Sequence, residues 1–342
     1  MTDSQPQDLS ILDATIPANP PQETVSPASA AIFETLIESP TFPTLITSSV
    51  NLDQSGIRAI DLNAERDLLS TVCTSPPYFS LGNVSILSPK TVQATITPEC
   101  LHPQELSAFS ASEAGRHLAI LGSCAVSLAR KNKRKEYFLA SSAEYNWVAE
   151  APRKSQFYGI ATAFPKGARS AIAKTNLFDS PSQTRIATLT VEYQILSPKI
   201  FEKIFKAHYS AHIPSIDQNP YTSRYKIEKM DILEDGAKAT FSPVLPENCA
   251  GHFTHYYAMP VAVLMGVLMD CAGAWLRKTM VKDRYRVEYA NIQAHQLLFA
   301  GSGFSANIKR VDIFNNSIFF MCKGENDQNE TIGSMDLQFI LQ

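Results

Sequence analysis

Two histidines and an aspartate bracket the most apolar stretch of the chain, "GHFTHYYAMPVAVLMGVLMDCAGAW", residues 251 to 275. An imidazole titrates near neutral pH and can take a proton, so His252 is a candidate base. A carboxylate in an apolar helix is costly unless it is paired or functional, which makes Asp270 a candidate acid or water activator. The N–H groups that follow Pro260, beginning at Val261, open a helix and could polarise a carbonyl oxygen. Other groups of the right chemical type read more readily as structural. His255, His102 and His117 suit hydrogen-bonded histidines, and Tyr256 and Tyr257 suit packing. Glu113 suits a first-turn helix residue beside a Ser110 or Ser112 cap. Cys271 stands next to Asp270, but no base has the spacing to make it a nucleophile.

The elements that must carry these residues follow from composition and from an internal repeat. A chain of 342 residues with 44% hydrophobic and 18% charged residues can bury a sizeable core. A net charge of −3 gives no reason to expect a nucleic acid partner. The six cysteines show no zinc spacing and read as reduced thiols of a cytoplasmic protein. No metal or other cofactor is expected. Pro260, Gly266, Asp270 and Gly273 interrupt the apolar run too often for a membrane span. Residues 1–27 are acidic and rich in Pro and Ser, and read as a disordered arm without a secretory signal.

The repeat appears when the second half is laid over the first. "GSCAVSLARK" meets "MDCAGAWLRK", with Cys124 on Cys271 (271 − 124 = 147). "RIATLTVEYQIL" meets "TIGSMDLQFIL", with Ile186 on Ile332 (332 − 186 = 146). "NVSIL" and "KMDIL" open the two copies. Three matches in one order at nearly constant offset indicate duplication. Each copy then runs as two short strands, a long apolar helix and three or four long strands of alternating pattern. The expected fold is α+β, a tandem double hot-dog in which each long central helix is wrapped by a curved antiparallel sheet. The boundaries are residues 28–197 for the first copy with an N-terminal extension, 198–224 for the linker and 225–342 for the second copy. The linker should open with a helix in "IFEKIFKAHY" and be broken at Pro214 and Pro220. The copies should form a pseudo-dimer within one chain, and association into a homodimer stays open.

The stretch after Gly251 resembles the signature of bacterial 3-hydroxyacyl-acyl-carrier-protein dehydratases, a hot-dog family. His252 and Phe253 match its start, Met259 and Pro260 fall seven and eight residues after the His, and Gly273 matches the small residue that ends it. The resemblance implies His252 as base and places Met259, Pro260, Val261 and Gly266 beside the substrate. It departs at the acid: Gly266 stands where the family has Glu or Asp, and Ala119 overlays it in the first copy. Asp270, one turn further along, is the nearest carboxylate. In the related two-copy dehydratase domains of polyketide synthases the His and the acid come from different copies. That is similar to a pairing of His102 with Asp270, although "HPQELSAFS" lacks their glycine and proline.

Three functions follow as expectations. The first is dehydration of a 3-hydroxyacyl thioester in fatty acid or polyketide type metabolism. The second is acyl-thioester hydrolysis with Asp270 activating water, a usage that "VLMDCAGAW" resembles in hot-dog thioesterases. The third is a duplicated hot-dog that binds acyl groups without turnover. The partner would be a thioester of coenzyme A or of an acyl carrier protein. The basic run Arg130, Lys131, Lys133, Arg134 and Lys135, with Arg277, Lys278, Lys282 and Arg284 in the second copy, could steer an acidic carrier.

Overall fold

The computed structural model describes residues 68–342 apart from 131–133 and 281–283. The expected arm, and the N-terminal extension as far as residue 67, lie outside the described residues. So do Lys131, Lys133 and Lys282 of the basic runs.

In the first half, strands β1 (Leu81–Ser88) and β2 (Thr91–Ile96) precede helix α1 (Ala111–Ala129). They are followed by β3 (Tyr137–Trp147), β4 (Phe157–Pro165), β5 (Ser170–Asp179) and β6 (Arg185–Leu196). Helix α2 (Pro198–Ile204) begins the connection. The second half repeats the order: β7 (Lys229–Leu233), β8 (Gly236–Phe241), α3 (Val261–Thr279), β9 (Tyr285–Ala294), β10 (Phe304–Phe314), β11 (Ser317–Asn326) and β12 (Thr331–Leu341). All strands belong to one twelve-stranded sheet in the order β1-β2-β4-β5-β6-β3-β9-β12-β11-β10-β8-β7. Read from its two edges inward, the sheet has the same strand order in both halves. The halves meet where β3 pairs antiparallel with β9, Ala143 facing Ile292 and Tyr145 facing Ala290. The duplication seen in sequence is therefore a duplication of topology, and the fold is the expected α+β tandem double hot-dog.

Alternation fixes which strand face packs. In β6, Ile186, Leu189, Val191, Tyr193 and Ile195 are buried, and in β12 Ile332, Met335, Leu337, Phe339 and Leu341 are. Both long helices are buried on most of their circumference, as helices wrapped by a sheet must be. Trp275 is fully buried, and its indole N–H donates to the Leu233 carbonyl at 3.0 Å, so the largest core side chain leaves no polar atom unpaired.

Three local expectations are corrected. The helices are displaced by 150 positions (261 − 111 = 150) while β4 and β10 are displaced by 147 (304 − 157 = 147). The loop 242–260 before α3 is longer than the loop 97–110 before α1, and the loop after α3 is shorter. By helix position Gly266 therefore corresponds to Arg116, not Ala119. A Cβ at Gly115 would stand 3.6 Å from the Met265 sulfur, and these positions are 150 apart, which places the pseudo-twofold between the helices. Ser110 occupies the cap position of α1, yet neither serine caps with its side chain, and the Glu105 carboxylate accepts the Ala111 N–H instead, at 2.8 Å. The linker helix is short, because after Ile204 the chain tightens into a 3-10 turn at Lys206–His208.

Candidate active site

The loop carrying His102 is fastened to the other half of the molecule. Leu106 N–H donates to the Tyr285 carbonyl (2.8 Å) and Tyr285 N–H to the Gln104 carbonyl (3.1 Å), so the first half's pre-helix loop runs along the start of β9. The bend of that loop turns two backbone N–H groups, of Gln104 (3.2 Å) and Glu105 (3.0 Å), onto His102 Nδ1. A ring nitrogen that accepts N–H bonds holds no proton, which leaves the proton on Nε2. From there His102 donates to Asp270 Oδ1 at 3.1 Å. The two residues whose pairing the sequence only hinted at thus meet across the copies.

Asp270 Oδ1 takes a second bond from Arg224 Nη1 at 2.9 Å. Arg224 comes from the linker, just after the turn Pro220–Thr222. Burial works against its charge, but Asp270, Glu105 and Cys100 around it outweigh this and hold the guanidinium more firmly protonated than usual. Oδ2 of Asp270 has no hydrogen-bond partner among the described residues. Tyr285 completes the group, its hydroxyl 3.2 Å from His102 Nε2. The space for that hydroxyl comes from Gly273, where a Cβ would stand 2.7 Å from it. Only a glycine on the α3 face lets Tyr285 reach this position.

Asp270 opens onto a cavity of about 590 Å³ between α1, α3 and the linker, whose walls include Ser112, Arg116, Tyr225, Ala262, Val263 and Gly266. Gly266 sits at the helix crossing: a Cβ there would lie 3.1 Å from Ser112 Oγ. The position where the dehydratase signature has its acid is here a site of close helix approach. Ala262 belongs to the first turn of α3, whose opening N–H groups have no intrahelical acceptor, while Val263 and Leu264 turn theirs to the Pro260 carbonyl.

His252 lies elsewhere. It lines a second cavity of about 410 Å³, and the structure does not bring it together with Asp270. Its Nδ1–H donates to the Ala258 carbonyl at 2.8 Å, and the ring stacks on Phe253 at 3.9 Å. Burial pushes its pKa down to about 4, so the imidazole is neutral at physiological pH. Val261 lines the same cavity, and Met259 is buried with its N–H bonded to the Leu298 carbonyl. The relation of the two histidines follows the pseudo-twofold. His252 is 150 positions after His102, and Ile120 is 150 before Asp270. The first centre has a carboxylate where the second has an isoleucine.

The remaining candidates are placed by packing. His255 Nδ1 donates to the Ser210 carbonyl at 2.9 Å, Tyr256 and Tyr257 are buried, and Cys271 is buried with its thiol pKa pushed well up. All six cysteines are free. Glu113 does not serve the start of its own helix; it accepts the backbone N–H groups of Glu99 and Cys100. Glu99, Glu113 and His117 place potential ligand atoms within 4.8 Å of one another, a spacing a metal ion could use. The Arg116 guanidinium is bonded to Glu99 and stands 3.1 Å from His117 Nε2, so a side-chain cation already pairs with part of the cluster. Arg224 and Tyr285 were missed in sequence; the linker position of Arg224 and the Gly273–Tyr285 contact have no local signature.

No family model matches this chain, and no curated protein matches it. Solved structures do. A 12:0-ACP thioesterase from Umbellularia californica superimposes with a TM-score of 0.51 at 6% identity, covering 74% of this chain and 94% of that one. A protein described as an oleoyl thioesterase from Lactobacillus plantarum gives a TM-score of 0.51 at 10% identity, covering 74% and 96%. At such identities the likeness concerns the fold. Among the described residues no helix is long and apolar enough to cross a membrane. Strand order, wrapped helices and these superpositions agree that the chain has the hot-dog fold in its tandem, two-copy form.

Proposed function

We propose that this protein hydrolyses acyl thioesters, with Asp270 as general base. The observation that carries the reading is the asymmetry of the Asp270 carboxylate. Oδ1 is held by His102 Nε2–H and by Arg224, while Oδ2 is left without a partner at a cavity. A carboxylate oriented in this way can take a proton from water as the water oxygen attacks the thioester carbonyl. The attack gives a tetrahedral oxyanion. Collapse breaks the C–S bond, and the leaving thiolate recovers the proton, giving a carboxylic acid and a free thiol. His102 and Arg224 position the base. The solved structures that share the fold include acyl-thioester hydrolases by their descriptions, which is compatible with this reading. The thioester could be carried by coenzyme A or by an acyl carrier protein.

Dehydration has less support at this centre. It needs a base for the C2 proton and a separate acid for the departing C3 hydroxyl, whereas His102 and Asp270 are hydrogen-bonded to each other and act as one unit. His252, the expected base, has no carboxylate partner and is weakly basic. The test is to offer acyl and 3-hydroxyacyl thioesters to the purified protein. Thiol release without enoyl absorbance, reduced at least about a hundredfold in Asp270→Asn, is the expected result. Enoyl formation from the 3-hydroxyacyl thioester would overturn it.

A further inference from the structure

The cavity at His252 is not needed for the hydrolysis proposed above, yet it is built. It holds about 410 Å³ and is walled by Tyr78, Ile120, Phe138, Phe253, Val261 and Met265, among others. No Asp, Glu, Lys or Arg lines it among the described residues. Three of its hydroxyl groups are turned to the backbone: Ser123 donates to the Ile120 carbonyl, Ser141 to that of Glu192 and Tyr193 to that of Ala119, while Thr74 Oγ1 is buried there without a partner. His252 differs from these. Its Nδ1–H is committed to Ala258, and its Nε2 has no hydrogen bond from any described residue. An acceptor thus remains on a wall without Asp, Glu, Lys or Arg, alongside the unpartnered Thr74 hydroxyl.

The pseudo-twofold explains what this second centre lacks. Its histidine matches His102, but Ile120, only 3% exposed, replaces the carboxylate. With no carboxylate to hold and deprotonate water, the centre keeps the shape of a site and loses the group that would attack a thioester. A ligand that enters meets largely apolar walls, the Thr74 hydroxyl and the neutral acceptor of His252. A charged headgroup would be desolvated with no counter-charge, whereas a hydroxyl would satisfy the imidazole and bury its chain.

We propose that this cavity is a second, non-hydrolytic binding site for an uncharged aliphatic ligand that donates one hydrogen bond to His252 Nε2. The site is separate from Asp270, so its ligand binds whether or not the protein hydrolyses thioesters.

The probes are 1-octanol, heptyl methyl ether, which lacks the donor, and octanoate, which is ionised at pH 7.5. Calorimetric titration of the full chain should show saturable binding of one octanol, unchanged in Asp270→Asn. The ether should bind at least about fivefold more weakly, the order expected for one neutral hydrogen bond, and octanoate should not bind. His252→Phe should abolish the difference between alcohol and ether. Ile120→Phe, which fills this cavity and does not touch the one at Asp270, should weaken octanol at least tenfold, and it serves if the His252 variant does not fold. Absence of saturable octanol binding, octanoate binding as tightly as octanol, or full octanol affinity in Ile120→Phe would each overturn the proposal. Loss of thioester hydrolysis alone would bear on Asp270 and leave this site standing.

Discussion

His102 of the first copy donates through Nε2 to Asp270 of the second copy at 3.1 Å, a bond that joins the two copies. Groups that act as one unit give non-additive losses when removed. Asp270→Asn should reduce kcat/KM by at least about a hundredfold, and His102→Gln by about tenfold or more, because the base survives but is no longer aimed. The double variant should be little worse than Asp270→Asn alone. Strictly multiplicative losses in steady-state kinetics would mean that the two residues act independently.

Gly273 and Tyr285 make the second prediction. A methyl at position 273 would meet the Tyr285 hydroxyl at 2.7 Å and its ring carbons at 3.0 and 3.1 Å. Tyr285 is 1% exposed, so it cannot swing outward freely. Gly273→Ala should destabilise the protein by about 1–3 kcal/mol, as overpacking does in dense cores. Gly273→Ala combined with Tyr285→Phe should recover part of that loss, read by urea titration.

Installing the acid that the dehydratase signature carries should fail here. Gly266→Glu would press Cβ against Ser112, at 3.1 Å from its Oγ, and put a second carboxylate in the cavity that Asp270 lines. The expected outcome is lower stability with no enoyl-forming activity, measured by thermal unfolding and by absorbance with a 3-hydroxyacyl thioester.

His252 should make the protein acid-sensitive. Its folded pKa is depressed to about 4 from an ordinary value of 6.5, chiefly by burial. Above pH 6.5 both folded and unfolded states hold it neutral and nothing is lost. Between pH 6.5 and 4 the unfolded chain binds the proton and the folded one does not, so stability falls with pH by on the order of 2–3 kcal/mol. His252→Phe should flatten that part of the stability profile. An imidazole NMR titration with a midpoint near 6.5 in the folded protein would refute the account.

Much of this was legible in the chain. Duplication, the order of elements along each copy and two buried helices were written in local periodicity and in a near-constant offset, because alternation and helical spacing are properties of short segments. Asp270 was visible for the same reason, a lone carboxylate in an apolar helix. Only the tertiary structure decided its partners. His102 lies 168 positions away and Arg224 sits in a linker of unremarkable composition. His252 carries the better sequence signature but was drawn into an apolar cavity. The closure of the sheet between β3 and β9 sets one copy's pre-helix loop against the other's helix, and local sequence holds no record of that distance. The same closure determined that Asp270 meets His102 and that His252 shares a cavity with Ile120.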